Sequence, residues 1–577
     1  MNRLVRVTAV VAATIVMLAA CAGLPTAGYV QPGNQTGTAQ ADAVWQFTPD
    51  GPSEDASPAE IVLGFLEAGE SPTGNWDIAR EFLTDDFAAE WRPESQVTVE
   101  NISDRTIADF VGDAEEIADA GSGELRVSVT PTAFVGEDGQ YVPASGGARA
   151  LNFQLVRDDA GQWRVSAAPD GVVVASGRFD YIFSEHVLYF FAVGSARLVP
   201  DMRWFPNTTG MASRIARTLV DGGPSDWLDG AVTTAFDGVN MGRQSVPLAD
   251  DGMATVDLSG LVRERSDLDR GRMLVQLQSS LASAGVHAVQ ITVDDQPLRI
   301  PEITVDYAQP DARALVMTHD EFGFLGRETD RIPGLSDVIE TRFTAEASED
   351  DAATSITVAG DHSHAAVQSE DGTVWRVRDD GTLDDLVYGS EWVAPALDPF
   401  GFIWSVPEER SSALQAWGDD GEPISIAGLD ELSEIDDIRM ARDGARLAIA
   451  GAIDDRPVLF VAGITRAPDG TPIELAGVLE ATALPERADV IAWVADTTVA
   501  VAIPGDNRTI VIEQTIGGRS ERLTASFAIT MMTYGNPQSN ERMLTRDGEL
   551  FVRKITTWQQ AGEGVSLLAT QLGSPAP

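Results

Sequence analysis

The sequence predicts a multidomain protein: an α+β cone-like domain, then a small α/β sandwich, then an all-β propeller of about six blades. Three observations carry that reading. Helical spacing gives way to short strands between residues 57 and 175, and two β-α-β stretches follow between 180 and 305. From 310 to 577, short apolar runs are punctuated by Asp-Gly turns. The length of 577 residues allows three or four domains at about 150 residues each. With 44% hydrophobic and 22% charged residues, the chain has the composition of globular proteins.

The N-terminus reads as an address. Arg3 and Arg6 precede an apolar run from Val7 to Ala20, long enough for a signal-peptide core and short for a membrane span. The run ends in Leu18-Ala19-Ala20-Cys21, where the only cysteine of the chain occupies the cleavage position. That arrangement matches a bacterial lipobox. Residues 1–20 are thus expected to be removed, and Cys21 to carry S-linked diacylglycerol and an N-acyl chain such as palmitate. The competing reading is a plain secretory signal followed by an accidental cysteine. Residues 21–56, rich in Gly, Pro, Thr, Gln and Asn, then read as a flexible tether.

The first folded unit spans 57–175. Ser57-Pro58-Ala59-Glu60 supplies an N-cap, a proline at the first helical position and a capping-box glutamate. Ile61, Val62, Phe65 and Leu66 form the apolar stripe behind it. A second short helix is expected over Trp76–Leu83, then strands at Leu125–Val129, Ala133–Val135, Leu151–Val156 and Trp163–Ala167. Helices followed by a curved antiparallel sheet resemble the cone-shaped fold of the nuclear transport factor type.

In the second unit, 180–305, strands at Val187–Val193 and Ala196–Phe205 precede a helix at Gly210–Val220 that Gly222-Gly223 ends. Met253–Leu258 is a strand, Arg272–Ala284 a helix, and Val289–Val293 a strand closed by an Asp294-Asp295 turn. The stretches VLYFFAVGSARLVPDMRWF, LVDGGPSDWL, GMATVDLSG and GVHAVQITVDDQPL resemble, in that order, a GerMN (spore-germination) domain. In the third unit, Asp371-Gly372, Asp380-Gly381, Asp420-Gly421, Asp443-Gly444, Asp469-Gly470 and Asp547-Gly548 are hairpin signals. Units starting near Ala312, Ser355, Val393, Asp437, Ala488 and Ser526 recur at roughly 40 residues, the length of a four-stranded blade. A pair of two-sheet sandwiches is the competing architecture.

Composition excludes several functions. The net charge is −49, from 40 basic and 89 acidic residues, and repels phosphate backbones, so no nucleic-acid partner is expected. Lys554 is the only lysine, so no Walker-type phosphate loop can be built. A single cysteine rules out intrachain disulfides and cysteine metal sites. Neither a His-Glu-x-x-His helix nor a Gly-x-Ser-x-Gly elbow occurs.

Weaker signals each have a plain counterpart. His362 and His364, two apart, would share a strand face and hold a metal, or are two ordinary strand or loop histidines. Asp267-Leu268-Asp269-Arg270-Gly271 suggests a calcium loop without its closing glutamate, or acidic residues at the start of the helix from Arg272. Tyr388 and Tyr534 with Arg376 and Arg439 could furnish a glycosidase-like channel, though no spacing requires it. Trp375, Trp404, Trp417 and Trp493 are either sugar-stacking rings or blade-core packing. These readings yield no catalytic residues, no metal ligands and no cofactor.

The order of parts, with CAGLPTAG at the lipidation position, is similar to the actinobacterial lipoprotein LpqB family. The resemblance implies a non-catalytic lipoprotein on the extracytoplasmic face of the cell membrane. It implies as partner the extracytoplasmic domain of an MtrB-type sensor histidine kinase, and an accessory role in MtrA/MtrB two-component signalling, which bears on cell envelope and division. The alternative is a cell-wall glycan-binding protein or hydrolase that uses the propeller channel. Cys21 is the one functional residue that maps onto the family pattern.

Overall fold

The computed structural model describes residues 48–577, apart from 109, 113–120, 145, 320, 327–328, 347–349, 390, 506–507, 536–540, 555–556, 573 and 576–577. The signal segment, Cys21 and most of the tether lie outside the described residues.

The first helix, Pro58–Ala68, begins where its cap dictates. The Glu60 backbone N–H donates to Ser57 Oγ while the Ser57 backbone N–H donates to Glu60 Oε2 at 2.8 Å. Its buried face, Ile61, Val62, Phe65 and Leu66, packs into a core with Phe153, Trp163 and Trp91. Two sheets wrap this core. One runs Tyr141–Pro143, Pro131–Gly136, Gln96–Glu100 and Val172–Ala175; the other runs Thr106–Ile107, Ser122–Val129, Arg149–Arg157 and Trp163–Ala167. The expected helix over Trp76–Leu83 is a single turn, Asp77–Arg80. Trp76 takes a left-handed φ of 59° so that its indole N–H can reach the Gly69 carbonyl at 2.9 Å. Tertiary contacts therefore override the local periodicity there.

The α/β sandwich has two three-stranded sheets around one core. Phe183–Ala192 pairs with Leu198–Pro206 and, at its end, with Val232–Thr233. Met253–Asp257 lies parallel to Ala288–Val293, which turns through Asp294 and Asp295, both at positive φ, into Gln296–Pro297. The second helix starts five residues earlier than expected, at Asp267, because Ser266 Oγ caps it by accepting from Asp269 N–H at 3.1 Å. The supposed calcium loop is thus the first helical turn. The helix also completes the exposed edge of the neighbouring sheet. Gln276 Nε2 donates to the Tyr189 carbonyl at 2.8 Å, and the Tyr189 N–H donates to Ser280 Oγ at 3.0 Å.

The propeller has six blades. Blades 2 to 6 are four-stranded and antiparallel, beginning at Ala353, Ala396, Glu434, Val490 and Ile529. Blade 1 is composite: Leu315–Thr318 and Phe322–Phe324 complete a sheet whose inner strand is Val565–Gln571. Blades 1 and 2 are joined into one open sheet by a short parallel pairing of Thr357–Val358 with Thr570–Gln571, and the remaining blades meet by packing. The innermost strands of successive blades touch in turn until Val565–Gln571 meets Ala353–Val358. The region is not purely β, since the helix Leu335–Arg342 is inserted between blades 1 and 2, with Leu335 and Ile339 buried. All six Asp-Gly turns place their glycine at positive φ, between 73° and 90°. In five of them the aspartate Oδ accepts the N–H two residues on, at 2.8–3.1 Å.

Candidate functional site

The weaker sequence signals come apart in three dimensions. His362 sits in a turn at φ 62° and His364 opens a strand, so the two do not share a strand face. His364 instead bonds through Nδ1 to Ser363 Oγ at 2.9 Å, and burial holds its pKa below the ordinary value. Among the described residues no cluster of three or more His, Cys, Asp or Glu could hold a metal ion.

The tyrosines and arginines of the channel hypothesis are not brought together. Tyr388 is exposed beyond the outer strand of blade 2. Tyr534 is buried on blade 6, which pushes its pKa well above the usual value. Arg376, fully buried, donates from Nη2 to the Trp417 carbonyl at 2.8 Å and from Nη1 to that of Gly418, clipping blade 2 to blade 3. Arg439 is paired with Asp437, whose pKa burial raises to about 6. Of the tryptophans, Trp404 and Trp417 are fully buried and Trp493 nearly so. The Trp493 indole reaches across to the Arg439 carbonyl at 3.0 Å. They are blade-core and blade-contact residues.

The cone-like domain is nearly filled by its own side chains. Its mouth, between Phe65, Trp91, Phe153 and Val172, leaves a cavity of about 60 Å³. That space suits a water or two, far short of a substrate.

The junctions between domains are built from residues far apart in sequence. Arg203, 1% exposed, donates from Nη2 to Asp201 at 2.7 Å and from Nη1 to the Asp138 carboxylate at 2.9 Å in the first domain. Asp201 in turn accepts from the Ser225 hydroxyl at 2.6 Å and the Ser225 N–H at 2.8 Å. The Leu-Val-Pro strand and the Gly-Pro-Ser turn, both sequence landmarks, are thereby bound to each other and to the neighbouring domain. Asp257 of Val-Asp-Leu-Ser does the same locally, accepting from Thr292 Oγ1 at 2.7 Å. The landmarks are structural.

On its other side the sandwich docks against blades 4 and 5. A Cβ at Gly463 would lie 2.6 Å from the Trp227 carbonyl oxygen, and one at Gly477 2.8 Å from Trp227 Cα. Only glycine permits that approach. Buried ion pairs stiffen the same face of the propeller: Arg466 with Asp398 at 2.7 Å, and Arg446 with Asp443 at 2.6 Å, Arg446 also reaching the Asp496 carbonyl on blade 5. Residues Thr48–Pro577 form one compact unit.

Residues 51–180 match the family described as the lipoprotein LpqB N-terminal domain, and 326–567 match the lipoprotein LpqB beta-propeller domain. Between them, 187–299 match the Germane family, described as sporulation and spore germination. The chain belongs to the LpqB lipoprotein family. Curated LpqB lipoproteins similar to it include that of Streptomyces coelicolor, 26% identical over 564 residues, covering 90% of this chain and 87% of the relative. The LpqB of Bifidobacterium longum is 26% identical over 498 residues, covering 82% of this chain and 81% of its own length. Among solved structures, TolB from Acinetobacter baumannii is similar over 67% of this chain and 99% of its own, at 15% identity and a TM-score of 0.34. The LpqB relatives are named as lipoproteins and not as enzymes. No helix among the described residues of this LpqB-family chain is long and apolar enough to cross a membrane.

Proposed function

We propose that this LpqB-family chain is a non-catalytic lipoprotein, anchored through Cys21 on the extracytoplasmic face of the cell membrane. In this reading it binds the sensor domain of the MtrB histidine kinase and modulates MtrA/MtrB signalling. The observation that supports it best is the union of three domains in one body, in a family whose members are named lipoproteins. A rigid surface loses little conformational entropy when it docks. Acyl chains at Cys21 would confine that surface to the plane of the membrane and raise its effective concentration near an integral-membrane sensor.

The deciding experiment is binding of a soluble 22–577 fragment to the isolated extracytoplasmic domain of an MtrB-type kinase across a salt series. Saturable binding that weakens with salt supports the reading and places the contact on the acidic surface. Saturable binding indifferent to salt supports it through apolar patches instead. Absence of binding at high micromolar concentration overturns it, and purified cell-wall polymers become the ligand to test.

A further inference from the structure

A cavity of about 600 Å³ lies where the sandwich meets the propeller. Its walls are Ser195 and Arg197 from the turn of the first hairpin, Thr233, Arg272 of the helix Asp267–Leu281, Asp306 of the linker, and Phe400 of blade 3. That volume is typical of small-molecule sites.

The charges in it are unusual for this chain. Acidic residues outnumber basic ones 89 to 40, and many arginines pair with carboxylates, while others, such as Arg376 and Arg442, donate to backbone carbonyls instead. Among the described residues neither Arg197 nor Arg272 has an ion-pair partner. The Arg197 Nε is buried and donates to no described atom, as is also true of Arg203, Arg270, Arg376 and Arg442, which leaves the Arg197 terminal N–H groups as those able to meet a ligand. Arg272 lies over the Phe191 ring at 5.2 Å, which holds the guanidinium in place without neutralising it. Asp306, exposed at the rim, is tied to the hairpin by its backbone N–H, which donates to the Ala196 carbonyl at 3.3 Å. Two cations against one carboxylate leave the cavity net positive inside a strongly anionic protein. Phe400 supplies an apolar wall, itself fixed by the Arg466 guanidinium 4.4 Å from its ring centroid.

We propose that this cavity binds a small ligand bearing an oxyanion, carboxylate or phosphate, gripped by Arg197 and Arg272 with the body of the ligand against Phe400. Guanidinium groups suit both anions, because their paired N–H donors match two oxygens at once. The walls belong to the sandwich, the linker and the propeller, so a bound ligand would cross-link them. Occupancy here is independent of any contact with a kinase.

The test uses the full-length protein in detergent, titrated by calorimetry with inorganic phosphate or with L-glutamate at ionic strength held constant with sodium chloride. Saturable binding of either anion is expected, and the preferred one identifies the ligand chemistry. The Arg197→Gln/Arg272→Gln double variant should bind at least about tenfold more weakly. Arg243→Gln, which removes an exposed arginine paired with Asp295 elsewhere, should bind as the parent does. Should the double variant fail to fold, Asp306→Asn removes the only carboxylate among the named wall residues and should tighten binding. Non-saturable heats with both anions, undiminished binding by the double variant, or no tightening by Asp306→Asn would each overturn the proposal.

Discussion

The Trp204 indole N–H donates to the Gly517 carbonyl oxygen at 3.0 Å, joining residues 313 apart in sequence. Trp204 lies on the sandwich strand Leu198–Pro206, and Gly517 on the propeller after blade 5's strand Arg508–Thr515. The same ring packs 4.9 Å from Phe179 and 5.9 Å from Tyr141 of the first domain. One side chain therefore belongs to three packing environments. Trp204→Ala should cost about 3–5 kcal/mol and should divide a single calorimetric unfolding transition into two or more. A variant that still melts in one transition with an unchanged midpoint would contradict the role given to Trp204.

Asp398 is buried between blades 3 and 4, accepting from Arg466 at 2.7 Å and from the Trp404 indole at 2.9 Å. Removing a carboxylate from such a pair leaves a charged guanidinium without its counter-ion. Asp398→Ala should therefore destabilise by about 3–5 kcal/mol, and Asp398→Asn, which retains an acceptor, by less. Denaturant unfolding of the two variants would check the order.

His186 is bonded to Ser184 and Ser283, both at 2.9 Å, and burial lowers its pKa from 6.5 to about 4. The unfolded chain accordingly takes up a proton at a higher pH than the folded one does. The stability contributed by the neutral ring is complete above pH 6.5 and is lost as pH falls toward 4, roughly 3 kcal/mol at most. His186→Gln should flatten this part of the stability–pH curve, measured as the difference in Tm from the parent between pH 4 and 7.

Gly470 adopts φ +90°, and a Cβ there would come within 2.4 Å of Phe400 Cδ1. Gly470→Ala should cost about 1–3 kcal/mol from backbone strain alone and should displace the Phe400 ring. Loss of anion binding without global unfolding would show that displacement.

Detergent phase partitioning compares the parent with Cys21→Ala. The parent is expected in the detergent-rich phase and the variant in the aqueous phase, since acyl chains contribute about 0.8 kcal/mol per buried CH₂. A variant that still enters the detergent phase would contradict lipidation at Cys21.

Elements with local causes were legible in the sequence. The capping box at Ser57, the Asp-Gly turns and the apolar stripe of Ile61, Val62, Phe65 and Leu66 are written in short-range chemistry. What was not legible depends on partners distant in sequence. Nothing near Leu315 announces that its inner neighbour is Ala569, and nothing near Arg203 announces Asp138. The arginines that clip blade to blade, Arg376 and Arg446, donate to backbone carbonyls, which leave no trace in residue type. Arg197 and Arg272 are 75 residues apart in the numbering, and only the packing of the helix Asp267–Leu281 against the strand Phe183–Ala192 puts both on one cavity.

The composite first blade sets a timetable for the molecule's assembly. Leu315–Thr318 leaves the ribosome some 250 residues before Val565–Gln571, the strand it must pair with. Until that strand has been made, Leu315, Val316 and Met317, all buried in the finished ring, have one edge without a neighbour. The ring therefore latches last. A chain cut anywhere before Val565 would carry an unlatched propeller, an open sheet edge that a protease or a holdase can distinguish from the completed protein.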